Sequence, residues 1–150
     1  MKLNKFQHSD IEENYIDLFY QESNNEVEHL ISFIESFGTQ KLKTVTEGVA
    51  EYISIEDIFY IESVDRKYYV YMEKEIKQTM TPLSELETSM SEQGFVRINK
   101  STVVNIYKIV KTVSDVNMRV FAHLENDEIL QINRSYKKDF IKRLQHYAEL

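Results

Sequence analysis

Residues 95–109 read FVRINKSTVVNIYKI. Four consecutive polar residues, Asn99, Lys100, Ser101 and Thr102, separate the strand-like Phe95 and Ile98 from the apolar Val103, Val104, Ile106 and Ile109. This pattern predicts a polar, basic loop held between two buried segments, the kind of support on which binding groups collect. The same spacing also fits an ordinary surface turn between strands. A cation flanked by an amide and a hydroxyl can hold phosphate or reach a base edge. Arg66 and Lys67 fall between the strand patterns at 58–63 and 68–72, where a polar hairpin tip is the competing reading. Arg134 lies between a predicted strand and a predicted helix, so its guanidinium can be aimed.

Other chemistry is poorly served. The histidines, His8, His29, His123 and His146, are dispersed and make no recognisable metal-binding motif. With no cysteine there is neither thiolate chemistry nor a disulfide, and three glycines cannot build a phosphate-cradling loop. An enzyme, a cofactor and a small-molecule substrate are therefore not expected.

The formal net charge of -7 argues at first sight against nucleic acid, because affinity for DNA rests largely on neutralising phosphates. The charge is unevenly spread. Residues 1–50 carry nine acids and four bases, so the remaining hundred residues stand at only -2. Residues 95–111 contain Arg97, Lys100, Lys108 and Lys111 without an acid, and residues 134–143 contain Arg134, Lys137, Lys138, Lys142 and Arg143 against Asp139. Brought together, these segments would form one basic face on an acidic body; scattered, they would be ordinary solvated charges. The hydrophobic fraction of 42% and mean hydropathy of -0.45 suit a globular chain. No apolar run approaches the ~20 residues that span a bilayer, and no signal-peptide pattern opens the chain, so a cytoplasmic location is expected.

Ten tyrosines and eight phenylalanines against one proline point to strand-rich structure. Residues 1–40 read as a β-β-α extension, with strands at 2–7 and 15–20 and a helix whose stripe is Val27, Leu30, Ile31, Ile34 and Phe37. Ser23 with Glu26 has capping-box form, and Gly38 is a natural stop. So small a unit cannot bury that stripe and strand alone, and either homodimer contact or docking on the rest of the chain is expected. Residues 41–150 then alternate short strands with short helices: strands at 41–46, 49–53, 58–63, 68–72 and 75–80, a helix at 84–93 and a hairpin pairing 119–124 with 128–132. A last helix at 136–147 has Ser135 as its N-cap and Tyr136, Phe140, Leu144 and Tyr147 as its stripe.

Read in order, IFYIES from Ile58, FVRINKSTVVN from Phe95 and INRSYKKDF from Ile132 resemble the LytTR DNA-binding domain, the output module of a class of bacterial transcription regulators. The resemblance covers roughly residues 42–147. It implies a mainly β (α+β overall) domain of elongated antiparallel sheets with short helices, and double-stranded promoter repeats as partner, read by inter-strand loops entering consecutive grooves. By alignment with the family's loops, Asn99, Lys100 and Ser101 form the central reader and Arg134 the last, with Arg66 or Lys67 in a shorter first loop. Lys137 and Lys138 would hold phosphate. The forty residues before the domain fall short of a receiver domain, so phosphorylation of an aspartate such as Asp10 or Asp17 is not expected to switch the protein. Control through abundance or a protein partner is expected instead, and the resemblance implies a small membrane protein as such a partner. The competing class is an acidic protein-interaction module that pairs through its aromatic strands without binding DNA.

Overall fold

The computed structural model describes residue 4, residues 16–36 and residues 40–148. The chain divides into two compact units, Met1–Ser36 and Phe37–Leu150.

In the first unit, helix α1 spans Asn25–Ser36. Val27 is buried and Leu30, Ile31 and Ile34 are half-buried, as the stripe predicts. The cap lies one residue beyond the expected Ser23: Asn24 Oδ1 accepts from the Val27 N–H at 3.0 Å. Asn is as good a cap as Ser, and Asn24 stands nearer the free N–H groups of the first turn. Ser23 instead donates to the Glu28 carboxylate. The strand expected at 15–20 is not formed over 16–20: these residues have no ladder partner among the described residues, and Phe19 is 90% exposed. An aromatic run makes a strand only where another strand offers hydrogen bonds. Tyr15, Phe37, Gly38 and all of the strand expected at 2–7 except Asn4 lie outside the described residues.

The second unit is built from antiparallel strands. β1 (Lys41–Thr46) and β2 (Val49–Ser54) form a hairpin. A central sheet of five strands follows, from β3 (Ile58–Val64), β4 (Lys67–Met72), β5 (Ile76–Thr79), β6 (Phe95–Asn99) and β7 (Thr102–Asn105), in the order β5-β4-β3-β7-β6. Helix α2 (Leu83–Ser89) starts behind Pro82, and a 3-10 turn over Ser91–Gln93 completes what the sequence suggests as one helix. A three-stranded sheet in the order β10-β9-β8 contains β8 (Ile109–Ser114), β9 (Val120–Leu124) and β10 (Ile129–Ile132), and helix α3 spans Lys137–Ala148. This is the mainly antiparallel architecture expected of residues 41–150.

The central sheet is buried on both faces. One face meets α2 and the first hairpin through Leu42, Ile58, Ile61, Val70, Leu83, Leu86, Met90, Phe95 and Val103. The other meets the three-stranded sheet and α3 through Phe59, Tyr60, Val96, Ile98, Val104, Val120, Ala122, Leu124, Ile132 and Phe140. Consecutive strand residues normally point to opposite faces, yet Phe59 and Tyr60 share one. A register shift between Ile58 and Tyr60 in the β3–β4 ladder accounts for this, since a bulge adds one residue to the strand.

Asn105 is the polar keystone of the core. It is 2% exposed, its Nδ2 donates to the Ile58 carbonyl at 2.9 Å, and its Oδ1 accepts from the Tyr107 N–H at 3.1 Å. Replacing it by alanine removes the partner of the buried Ile58 carbonyl and of the part-buried Tyr107 N–H. Asn105→Ala should therefore lower unfolding free energy by about 1–3 kcal/mol in denaturant titration; a loss below about 0.5 kcal/mol would mean that water satisfies both groups.

Candidate nucleic-acid interface

The three loops singled out from the sequence emerge at one edge of the second unit. β3 and β4 are joined by Asp65 and Arg66 alone, with Val64 paired to Lys67. Both linking residues have positive φ, 49° and 63°, the geometry of a type I′ turn. Neither is glycine, so the left-handed backbone costs about 1–2 kcal/mol per residue. Arg66 and Lys67 are exposed.

The β6–β7 loop lies beside this turn because Glu62 of β3 pairs with Thr102 of β7. A backbone bond from Ser63 N to Ser101 O, 2.8 Å, fastens the two. Within the loop Asn99 Oδ1 accepts from both the Ser101 N–H (2.8 Å) and its hydroxyl (3.0 Å), turning these side chains on one another and leaving Lys100 exposed. Behind the loop sits Arg97. Its Nε donates to the Asn99 carbonyl at 2.9 Å, its guanidinium also donates to the Lys100 carbonyl, and Nη1 reaches Glu87 of α2 at 3.3 Å. The sequence marks Arg97 only as a charge; its place two residues before the loop, on the α2 face of β6, is the signal that identifies it as the brace.

The third segment is tied to the second. Asn133 N donates to the Ile98 carbonyl at 2.9 Å, so the chain leaving β10 runs against β6 and places Arg134 at the same edge. A turn follows in which Tyr136 N donates to Asn133 O at 2.9 Å, and α3 begins at Lys137. Ser135 makes no side-chain cap bond among the described residues; the preceding turn takes up the first N–H groups instead. Arg134 and Lys138 are exposed, and among the described residues neither they nor Arg66, Lys67 or Lys100 form an ion pair. Lys137 is half-buried and its Nζ donates to the Met118 carbonyl at 3.3 Å.

The expected union of segments 95–111 and 134–143 into one basic face is only partly realised. Lys108 lies at the opposite end of the sheet, 3.7 Å from the Glu125 carboxylate and above the Phe59 ring. β7 runs away from the loop edge, and that carries its later cations off. The far end is acidic, with Glu125 and Glu128 in the β9–β10 turn and Glu73 and Glu75 after β4. There Tyr60 stacks on Tyr71 at 4.2 Å and bonds Glu128 at 3.2 Å. Burial, with Glu128 beside it, pushes the Tyr60 hydroxyl above its ordinary range, so it stays a donor.

A fourth turn, residues 115–119 between β8 and β9, shares the loop edge, for Ser114 pairs with Val120 and Val120 with Ile132. Asp115 Oδ1 accepts from the N–H groups of Asn117 and Arg119, each at 2.9 Å, and Oδ2 accepts from Arg119 Nε at 2.6 Å.

Residues 50–145 match the LytTr DNA-binding domain family. Over 145 residues the chain is 26% identical to a Staphylococcus aureus protein (strain NCTC 8325 / PS 47) named an uncharacterized HTH-type transcriptional regulator, covering 96% of this chain and 98% of that one. The similarly named protein of strain MRSA252 is 25% identical with the same coverage. The solved LytTr DNA-binding domain of a protein described as a methyl-accepting/DNA response regulator from Bacillus cereus has a TM-score of 0.64 at 24% identity, covering 69% of this chain and 95% of that chain. This last likeness is one of fold. Strands separate α1, α2 and α3 from one another, so the described residues contain no helix-turn-helix pair.

The Asp115 turn gives a pH test. Desolvation raises the Asp115 carboxyl, but the Arg119 N–H and guanidinium and the Asn117 N–H outweigh it and hold the group below the usual carboxylate range. The stabilisation that a depressed folded pKa reports is fully present above the ordinary aspartate pKa and is lost as pH falls below that value and through the lower folded one. Amide exchange at Asn117 and Arg119, corrected for intrinsic rates, should quicken below about pH 4, and Asp115→Ala should already show the faster exchange at neutral pH. Unchanged protection in the variant would mean that the carboxylate does not hold the turn.

Proposed function

The chain belongs to the LytTR DNA-binding domain family, and from that membership we propose that it is a transcription regulator that binds double-stranded DNA sequence-specifically through the loops at 65–67, 99–101 and 133–138. The observation that carries this reading is the pair of backbone bonds, Ser63 to Ser101 and Asn133 to Ile98, that gathers three separate loops with unpaired cations onto one edge. Arg134 and Lys100 reach base edges, with guanine O6 and N7 as the matching acceptors. Arg66 enters from the tight first turn, with Lys67 beside it. Asn99 and Ser101 shape the central loop and offer their remaining polar atoms to the backbone, and Lys137 and Lys138 hold phosphate. The strained turn at Asp65 and Arg66 supports the assignment, since such backbone collects at binding sites. The acidic far end orients the molecule, turning the basic edge toward the duplex. No catalytic step belongs to this reading.

Residues 1–40 supply dimerisation in this proposal, and residues 41–150 the DNA-binding domain. Ile16, Phe19 and Tyr20 are 71%, 90% and 52% exposed, apolar surface that a second copy would cover.

Arg134→Ala or Lys100→Ala should cost roughly 1–3 kcal/mol of specific binding. Lys138→Ala should weaken binding to all sequences alike and flatten the salt dependence. Equal losses on specific and non-specific duplexes for both kinds of variant would overturn these roles. A dimer also demands two half-sites on one side of the duplex. Inserting about five base pairs between them should abolish cooperative binding, and about 10.5 should restore much of it. Indifference to the spacer, or a monomer in sedimentation at micromolar concentration, rules out the paired-site arrangement.

A further inference from the structure

The turn at residues 115–119 is the part of the basic edge to which the proposed contacts give no task, and it is built unlike an idle loop. Val116 is 98% exposed and Met118 75%, two large apolar side chains in water at the tip. The backbone beneath them is fastened. Besides its side-chain bonds, Asp115 N donates to Arg119 O at 3.0 Å and Met118 N to Asp115 O at 3.0 Å, with Met118 left-handed at φ 60°. Arg119 pairs with Asp115 at 2.6 Å and lies 5.7 Å over the Phe121 ring. Apolar side chains presented on a rigid tip suggest a contact awaiting a partner.

The position of the tip identifies that partner. Val120 is paired with Ile132, two residues before Arg134, and Lys137 Nζ donates to the Met118 carbonyl. The tip therefore adjoins the segment assigned to base reading and continues its surface. Its single carboxylate is neutralised by Arg119, so it brings no uncompensated negative charge toward phosphate. The apolar feature that duplex DNA presents in the major groove is the thymine 5-methyl group. We propose that residues 116–118 form a fourth DNA-contacting loop, in which Val116 and Met118 pack against thymine methyl groups next to the base pair read by Arg134. The inference rests on the DNA-binding reading above and adds to it a preference for thymine at the flank.

The test uses the full chain and a duplex site obtained by selection from a random-sequence pool. The double variant Val116→Ser, Met118→Ser should bind the selected site about ten-fold more weakly, with unchanged melting temperature, unchanged non-specific affinity and an unchanged salt slope, because no cation is lost. Replacing thymine by deoxyuridine beside the Arg134 contact should weaken the wild type to a similar degree and leave the double variant unaffected. Wild-type affinity for the selected site that survives both the double substitution and the deoxyuridine replacement would overturn the fourth loop; if Arg134→Ala still weakens binding to the selected site more than to non-specific duplex, the DNA-binding reading stands without it. Failure of the wild-type chain to retain any duplex from the pool would overturn both. A double variant that loses affinity equally on thymine and deoxyuridine sites and changes DNA bending would replace methyl recognition by a wedge between base steps, and so also overturn the proposal.

Discussion

An outer strand of a sheet carries a row of backbone groups that need partners, and β6 is one of the two outer strands of the central sheet. β7 satisfies one side of it. On the other, the Ile98 carbonyl is met by the Asn133 N–H, and α3 lays Phe140 into the core against Ile98 and Val96. Covering the edge in this way blocks strand pairing with other chains. It also dictates where the segment after β10 must run, and so puts Arg134 next to the loop that ends β6. The same act of hydrogen-bond satisfaction closes the core and assembles the edge.

Burial on both faces of the central sheet makes that edge stiff. Ile61, Val70, Ile98, Val103 and Val104 have no solvent exposure, so β3, β4, β6 and β7 cannot shift without opening one of the two cores. The connections they carry are short: Asp65 and Arg66 between one pair, Lys100 and Ser101 between the other. Arg97 adds a brace by bonding the carbonyls of Asn99 and Lys100 while held by Glu87. Short loops on immobile strands present their cations with little conformational entropy left to lose on binding.

Charge is arranged along the same axis. Residues 1–50 hold -5 of the overall charge of -7, and within the second unit the antiparallel strands send successive connections to alternate ends. Arg66, Lys67, Lys100 and Arg134 fall at one end, and Glu73, Glu75, Glu125 and Glu128 at the other, where Lys108 pairs with Glu125. Such a separation gives the second unit a dipole, of the kind that steers a protein toward a polyanion at long range.

Much of this was legible in order along the chain. The period-two runs located the strands of the second unit and the turn residues their connections, Arg66 and Lys67 among them, and two of the three motifs placed Lys100 and Arg134 in loops, because these features depend on local spacing. Local signals also misled: Asn24 caps α1 in place of Ser23, and residues 16–20 have no ladder partner among the described residues despite a strand-like composition. What no local pattern contains is which backbone groups meet across the fold. The bulge that turns Phe59 and Tyr60 to one face, the burial of Asn105, the brace by Arg97 and the dispatch of Lys108 to the acidic end all follow from strand register, and register is settled by the joint packing of residues far apart in sequence. The sequence by itself determined which side chains sit in loops; the tertiary structure alone decided which of those loops share an edge, because that depends on hydrogen bonds such as Ser63 to Ser101 and Asn133 to Ile98, whose partners lie more than thirty residues apart.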